Sequence, residues 1–257
     1  MTIFDSVILG IVEGITEYLP VSSTAHLFFA GKMLGLEQDA FTTAYEIIIQ
    51  IAPIFSVMLI YSERLFQSRD LWVKLILAFI PTGAVGFLFH KQITALFVAN
   101  STVALMILTG FAFLAIEFFY KEKEHHASDL DDVTVRQALY IGLFQTLALI
   151  PGISRSGTTI LGGMLVGLKR DVAMSFSFLL AIPTMGAASG YMLLKEYSTL
   201  SSDHFWLLFI GFIVAFAVGW IAVKSFLAIV QRYSFKPFGF YLILSGLLFG
   251  FFGLEFP

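Results

Sequence analysis

The sequence predicts an all-α polytopic membrane protein, with six transmembrane helices plus two re-entrant helical hairpins arranged as an inverted-topology internal repeat. Three observations carry that expectation. Hydrophobic residues make up 58% of the 257, charged residues only 13%, and mean hydropathy is +0.88, more apolar surface than a soluble chain could hide. Apolar stretches long enough to cross about 30 Å of hydrocarbon fall at roughly 42–62, 72–90, 102–120, 172–194, 205–231 and 237–255. Two further apolar segments are broken by proline and resemble each other at a spacing of about 130 residues.

The first broken segment joins 3–19 to 22–35 through Pro20, and the second joins 135–150 to 155–167 through Pro151. Neither half of either pair spans comfortably, so each reads as a hairpin that enters and leaves on one side. Irregular backbone at membrane depth is tolerated only where it is buried in protein or lines a wet cavity. The repeat extends further: Pro53 matches Pro183, and Gly110 and Gly246 occupy similar places in the last span of each half. The expected units are residues 1–120, a charged linker at 121–134, and residues 135–257. Each unit holds one hairpin and three spans, and an odd number of crossings inverts the second copy relative to the first.

Charge placement gives the sidedness. Loops on one side hold Arg64, Arg69, Lys74, Lys121, Lys123, Arg136, Lys169, Arg170, Arg232 and Lys236; the other side holds Lys32, Lys91 and Lys195. Arg155 and Lys224 fall inside spans. The positive-inside rule makes the cation-rich side cytoplasmic and puts both termini outside. Asp5 precedes the first cation, Lys32, so a cleaved signal peptide is not expected. The linker K-E-K-E-H-H-A-S-D-L-D-D-V reads as a solvated cytoplasmic connector. Lys224 is expected to snorkel, and His90 with Lys91 to lie at the outer interface. The net charge of −3 says little, and the absence of cysteine excludes disulfide and thiolate chemistry.

Chemistry concentrates in two strings. In G-I-V-E-G-I-T-E-Y-L-P-V-S-S-T-A-H (10–26), Glu13 and Glu17 are four apart and share a helix face. Two carboxylates this close in low dielectric cannot both stay ionised without a cation, so they hold either a hard divalent ion, Mg²⁺ or Ca²⁺, or a shared proton. Glu46 is a candidate third ligand or a headgroup-level acid. After Pro20, Ser22 or Ser23 suits a helix cap. Ser23 and His26, three apart, would share a face, so the imidazole could take the hydroxyl proton.

In P-G-I-S-R-S-G-T-T (151–159), Arg155 is flanked by Ser154, Ser156, Thr158 and Thr159. A guanidinium matches phosphate oxygens in a bidentate way, and the following helix start offers free N–H groups. Gly152 and Gly157 would let backbone approach a ligand. The same arginine could instead pair with Glu13 or Glu17 and lock the hairpins together. Gln145 stands where Glu13 stands in the first copy, a divergence that suits an enzyme better than a symmetric transporter.

Both strings resemble the two signature motifs of the bacterial undecaprenyl-pyrophosphate phosphatases of the bacitracin-resistance type, and the resemblance covers essentially the whole chain. It implies an integral inner-membrane phosphatase that converts the C55 isoprenyl diphosphate to the monophosphate, recycling the carrier for peptidoglycan and other envelope polymers. It implies Mg²⁺ or Ca²⁺ dependence, with Glu13 and Glu17 as the essential acids. It places Ser23 and His26 with Glu17 and Arg155 in catalysis, and Ser22, Thr24, Ser154, Arg155, Ser156 and Thr159 around the diphosphate. The attacking group stays open between Ser23, His26 and a water.

The expected partners are a polyprenyl diphosphate and membrane lipids, without nucleic acid, and a homodimer is compatible. The pocket is expected to open outward from the cytoplasmic membrane. The type-2 phosphatidic acid phosphatase pattern fails, because no histidine follows Arg155 before His204. A secondary transporter or lipid-phosphate flippase on the same inverted scaffold is the competing reading.

Overall fold

In the computed structural model, which describes residues 1–89, 92–93, 99–197, 200–230 and 234–252, helices begin where the sequence supplies caps. Helix α1 (Ile3–Thr16) opens with a capping box between Thr2 and Asp5, and a turn leads to α2 (Ser23–Met33). Asp39 caps α3 (Ala40–Ile48), followed by α4 (Ile51–Ile60) and the short α5 (Ser62–Gln67). Ser68 caps α6 (Arg69–Leu88), and α7 (Ala99–Phe119) ends the first half.

The second half opens with α8 (Val135–Gln145), started by a Thr134–Gln137 capping box, then a 3₁₀ turn at Thr146–Leu149. Ser154 caps α9 (Arg155–Leu165), and α10 (Arg170–Glu196), α11 (Ser202–Val230) and α12 (Lys236–Phe251) follow. Among the described residues, extended pairing is limited to one bridge between Ala127 and Leu168.

Five helical runs are long and apolar enough to cross a membrane: Ala40–Ile60, Arg69–Leu88, Thr102–Phe119, Arg170–Glu196 and Ser202–Val230. Where the sixth span is expected lies the shorter apolar helix α12, whose 16 residues give about 24 Å of helix. His90, Lys91 and Arg232, with the far ends of the spans expected at 72–90, 205–231 and 237–255, lie outside the described residues.

The span expected at 42–62 is not one unbroken helix. Pro53 has no N–H to give the Ile49 carbonyl, which instead accepts from Ala52 at 3.0 Å, and the chain turns at Ile49–Gln50 between α3 and α4. Pro81 and Pro183, by contrast, sit inside the continuous helices α6 and α10.

The hairpin helices pack across the halves. Helix α1 lies along α11, α8 lies along α6, and α7 pairs with α12. Close approach requires glycine at both hairpins. A Cβ on Gly14 would sit 2.8 Å from the Ala215 carbonyl oxygen, and one on Gly142 would collide with the Ala78 carbonyl. Aromatic residues fill the centre, with Tyr18 edge-on to Phe178 and Phe226 against Phe235 and Phe238.

The linker is largely exposed, as expected of a solvated connector, but it is also anchored to the helices. Leu130 and Val133 are buried, Ala127 exchanges backbone bonds with Gly167 and Lys169, and Arg64 grips Asp129 and Asp131 at 2.8 and 2.9 Å. Backbone N–H donation from Asp131 is the main cause holding the Asp129 carboxyl below its ordinary range, with Arg64 adding to it. Glu117 is buried and paired with Arg170 at 2.9 Å, and Arg170 also reaches Glu122. Lys224 lies over the Trp220 ring at 3.8 Å.

Candidate active site

The two hairpin turns meet. Helix α1 runs one residue past its last turn to Glu17, which places that carboxylate beside the start of α9. Arg155 Nη2 donates to Glu17 Oε1 at 2.8 Å, and Nη1 donates to the Ser177 carbonyl on α10 at 3.0 Å. Ser156 Oγ donates to the Leu19 carbonyl at 3.0 Å, a second link between the turns. The guanidinium carbon sits 5.5 Å from the Tyr18 ring centre, and its Nε is buried without a hydrogen-bond partner. The arginine is thus held on three sides, with two of its five N–H groups engaged and three left over, the buried Nε–H among them.

Ser23 Oγ donates to the other oxygen of the same carboxylate, Glu17 Oε2, at 2.7 Å. The expected Ser23–His26 pair is not formed. His26 Nδ1 meets the Ser22 carbonyl at 2.9 Å and Nε2 meets the Tyr241 hydroxyl at 2.8 Å, with the imidazole stacked on that ring. An anionic carboxylate is a stronger acceptor for the hydroxyl than a neutral imidazole, and Tyr241 on α12 draws the imidazole away. Nor does Ser22 or Ser23 cap α2: Ser22 takes φ 68 with no side-chain cap. It is the one non-glycine residue with positive φ among the described residues, a local strain typical of functional turns.

The start of α9 is capped, so one of the N–H groups expected to be free is taken by a side chain. Ser154 Oγ accepts from the Gly157 N–H at 3.1 Å and lies 3.1 Å from Ser156 Oγ. Thr158 and Thr159 return their hydroxyls to backbone carbonyls of the preceding turn, and Thr159 also meets Ser177 Oγ at 2.6 Å. Their role is packing of α9 rather than display of hydroxyls. Gly152 and Gly157 face the Thr102 backbone and Phe113, so they serve helix approach and not ligand approach.

A cavity of about 170 Å³ joins these groups. Glu17, Ser22, Ser23, Thr24, Gln145, Ser154, Arg155 and Ser156 border it from the hairpins, and Gln50, Thr82 and Thr184 from the spans. The span residues carried little signal as lone neutral polar residues in apolar runs. The string I-P-T occurs twice, at 80–82 and 182–184, and marks the two threonines. Gln50 ends E-I-I-I-Q beside Pro53.

Glu13, one turn before Glu17, is fully buried, and neither of its carboxylate oxygens has a hydrogen-bond partner. An orphaned carboxylate next to a second acid fits a hard divalent cation, which takes one or two carboxylates and completes its shell with water and substrate oxygens. Among the described residues no group of three or more such ligands forms. Glu17 borders the cavity, whereas Glu13 lies one turn behind it and does not; Glu46, buried on α3 with its carboxylate accepting from Gln38 at 3.2 Å, does not border it either.

Known proteins resemble this chain along nearly its whole length. A 252-residue alignment with a Wolinella succinogenes protein named undecaprenyl-diphosphatase is 50% identical and covers 98% of both chains. A Persephonella marina protein of the same name is 49% identical over 97% of this chain and 98% of its own. One from Aquifex aeolicus, likewise so named, is 45% identical over 99% of this chain and 100% of its own. The match to the family described as bacitracin resistance protein BacA runs from residue 6 to residue 248, and this chain belongs to that family.

Proposed function

We propose that the chain hydrolyses undecaprenyl diphosphate to undecaprenyl phosphate and inorganic phosphate, returning the lipid carrier to peptidoglycan and envelope polymer synthesis. The observation that carries this reading is the Arg155–Glu17–Ser23 chain of charge-assisted hydrogen bonds beside a polar cavity, inside an otherwise apolar helical protein. Charge at membrane depth is costly and is retained where it works. The relatives are named for this hydrolysis, and the transporter reading finds no support among them.

Arg155 and the start of α9 hold the terminal phosphate. Ser23 Oγ attacks its phosphorus while the hydroxyl proton passes to Glu17 Oε2, and the bond to the bridging oxygen breaks to release the lipid monophosphate. Water then hydrolyses the phosphoserine and restores Ser23. Arg155, held by Glu17 and Ser177, keeps its remaining N–H groups for the charge that develops on the phosphoryl oxygens. Mg²⁺ or Ca²⁺ held by Glu13, with Glu17 beside it, would supply further neutralisation of diphosphate charge. His26 positions the α2 start through its bond to Ser22 and its contact with Tyr241.

The topology we propose has six spans, with α12 as the sixth, and two re-entrant hairpins in inverted repeats over 1–120 and 135–257, joined by 121–134. Its support is the exchange of partners, with the first hairpin helix of each half lying on a span of the other. The cation-rich loops meet at one end through Arg64, Lys74 and Arg170, which supports a cytoplasmic face there, outer-side termini and an outward-opening site in the inner membrane.

Purified protein in detergent, given C55 diphosphate with and without EDTA, tests the function. Inorganic phosphate should be released, and less of it after chelation. A protein that releases none removes the reading.

A further inference from the structure

The cavity has two chemically different walls. One wall carries the ion pair of Arg155 and Glu17; the other carries only neutral groups, Gln50, Thr82 and Thr184 from the spans and Gln145 from the end of α8, which is bonded to both threonines. Gln145 is fully buried and fixed, its Nε2 donating to Thr82 Oγ1 at 3.0 Å and its Oε1 accepting from Thr184 at 3.2 Å. Thr82 passes its own proton to the Gly142 carbonyl. One N–H of the Gln145 amide therefore remains for a ligand.

Gln50 differs. It is only 6% exposed, borders the cavity, and its side-chain amide has no hydrogen-bond partner among the described residues. It also sits at the break before α4, a ten-residue helix whose start has no side-chain cap. A buried amide left without partners is costly in an apolar surround, so it suits a ligand that takes hydrogen bonds. With the spare Gln145 N–H on the same wall, the ligand indicated is an anion lying against Gln50 and Gln145.

We propose that Gln50, with the free Gln145 N–H, binds the phosphate that stays on the lipid, while the Arg155 side binds the phosphate that leaves. This rests on the hydrolysis proposed above and assigns the second half of the diphosphate. Neutral donors bind an anion more weakly than a guanidinium does, so the wall grips the retained phosphate in the diphosphate and lets the monophosphate product go. It also discriminates a diphosphate from a monophosphate by offering two subsites in place of one.

Kinetics of Gln50→Leu in the full-length purified protein test this, with thermal unfolding measured alongside. The proposal expects KM for C55 diphosphate and the inhibition constant for C55 monophosphate to rise together, each by about tenfold. Inhibition by inorganic phosphate and kcat should stay within about twofold of the parent. Should Gln50→Leu fail to fold, Gln50→Glu keeps the shape and adds a negative charge, and the same two constants should rise further. Unchanged monophosphate inhibition in a folded variant overturns the proposal. So does weakened inhibition by inorganic phosphate, which would move Gln50 to the leaving-phosphate side. An inactive parent protein would instead remove the underlying hydrolysis reading.

Discussion

Arg155 Nη2 lies 2.8 Å from Glu17 Oε1, although the two residues are 138 apart in sequence. The contact joins the two hairpin turns, and the same carboxylate takes the Ser23 hydroxyl on its other oxygen. One acid thus orients both the guanidinium and the hydroxyl to which the proposed mechanism gives phosphate binding and attack.

Arg155→Lys should lower the rate by about 10²–10³ although the charge is kept. A single ammonium cannot reach Glu17 and the Ser177 carbonyl in the forked geometry that the guanidinium uses. Phosphate release per folded protein checks this, and a near-parental rate would remove the clamp role.

Ser23→Ala and Glu17→Gln separate nucleophile from base. Each should lower kcat by about 10²–10⁴. Trapping with labelled terminal phosphate should mark the parent protein on Ser23 and leave Ser23→Ala unmarked. If label never appears on the parent under rapid quench, a water attacks.

Gly14→Val should destabilise the fold, because a Cβ there would stand 2.8 Å from the Ala215 carbonyl oxygen and from Val218 Cβ. Overpacking of this kind costs about 1–3 kcal/mol. The midpoint of thermal unfolding in detergent should fall, whereas Gly186→Ala, with open space around the added carbon, should leave it nearly unchanged.

The linker should carry an acid-sensitive share of stability. The Asp129 carboxyl is held low in the fold by the Asp131 N–H and then Arg64. A depressed folded-state value contributes stability that is full above the ordinary aspartate range and is lost as pH falls through the folded value. Thermal midpoints measured from pH 7 down to about 3 should decline for the parent protein and decline less steeply for Asp129→Asn.

Much of the site was legible because an ionised group inside a hydrocarbon run stands out. Glu13, Glu17 and Arg155 could be named from the strings alone, and the hairpins from the prolines beside them. Partner choice was not legible. Helical spacing puts Ser23 and His26 on one face, but it says nothing of the Glu17 oxygen that outcompetes the imidazole or of Tyr241, 215 residues away from His26. The break before α4 was foreshadowed by Pro53, yet Pro81 and Pro183 sit in continuous helices, so proline alone does not settle where a span bends. Gln50, Thr82 and Thr184 are neutral and isolated in sequence; only the packing of α4, α6 and α10 around one cavity gives them a shared surface. The linker read as solvated because its charges alternate, and its order comes from aspartates bonding to nearby backbone, which composition does not reveal.

A double-mutant cycle on phosphate release tests the hairpin contact most directly, using the parent protein, Glu17→Gln, Arg155→Gln and the double variant. If the two side chains act as one unit on one diphosphate, the double variant should lose no more activity than the worse single one. Losses that multiply would show the acid and the guanidinium working independently, and would contradict the shared grip.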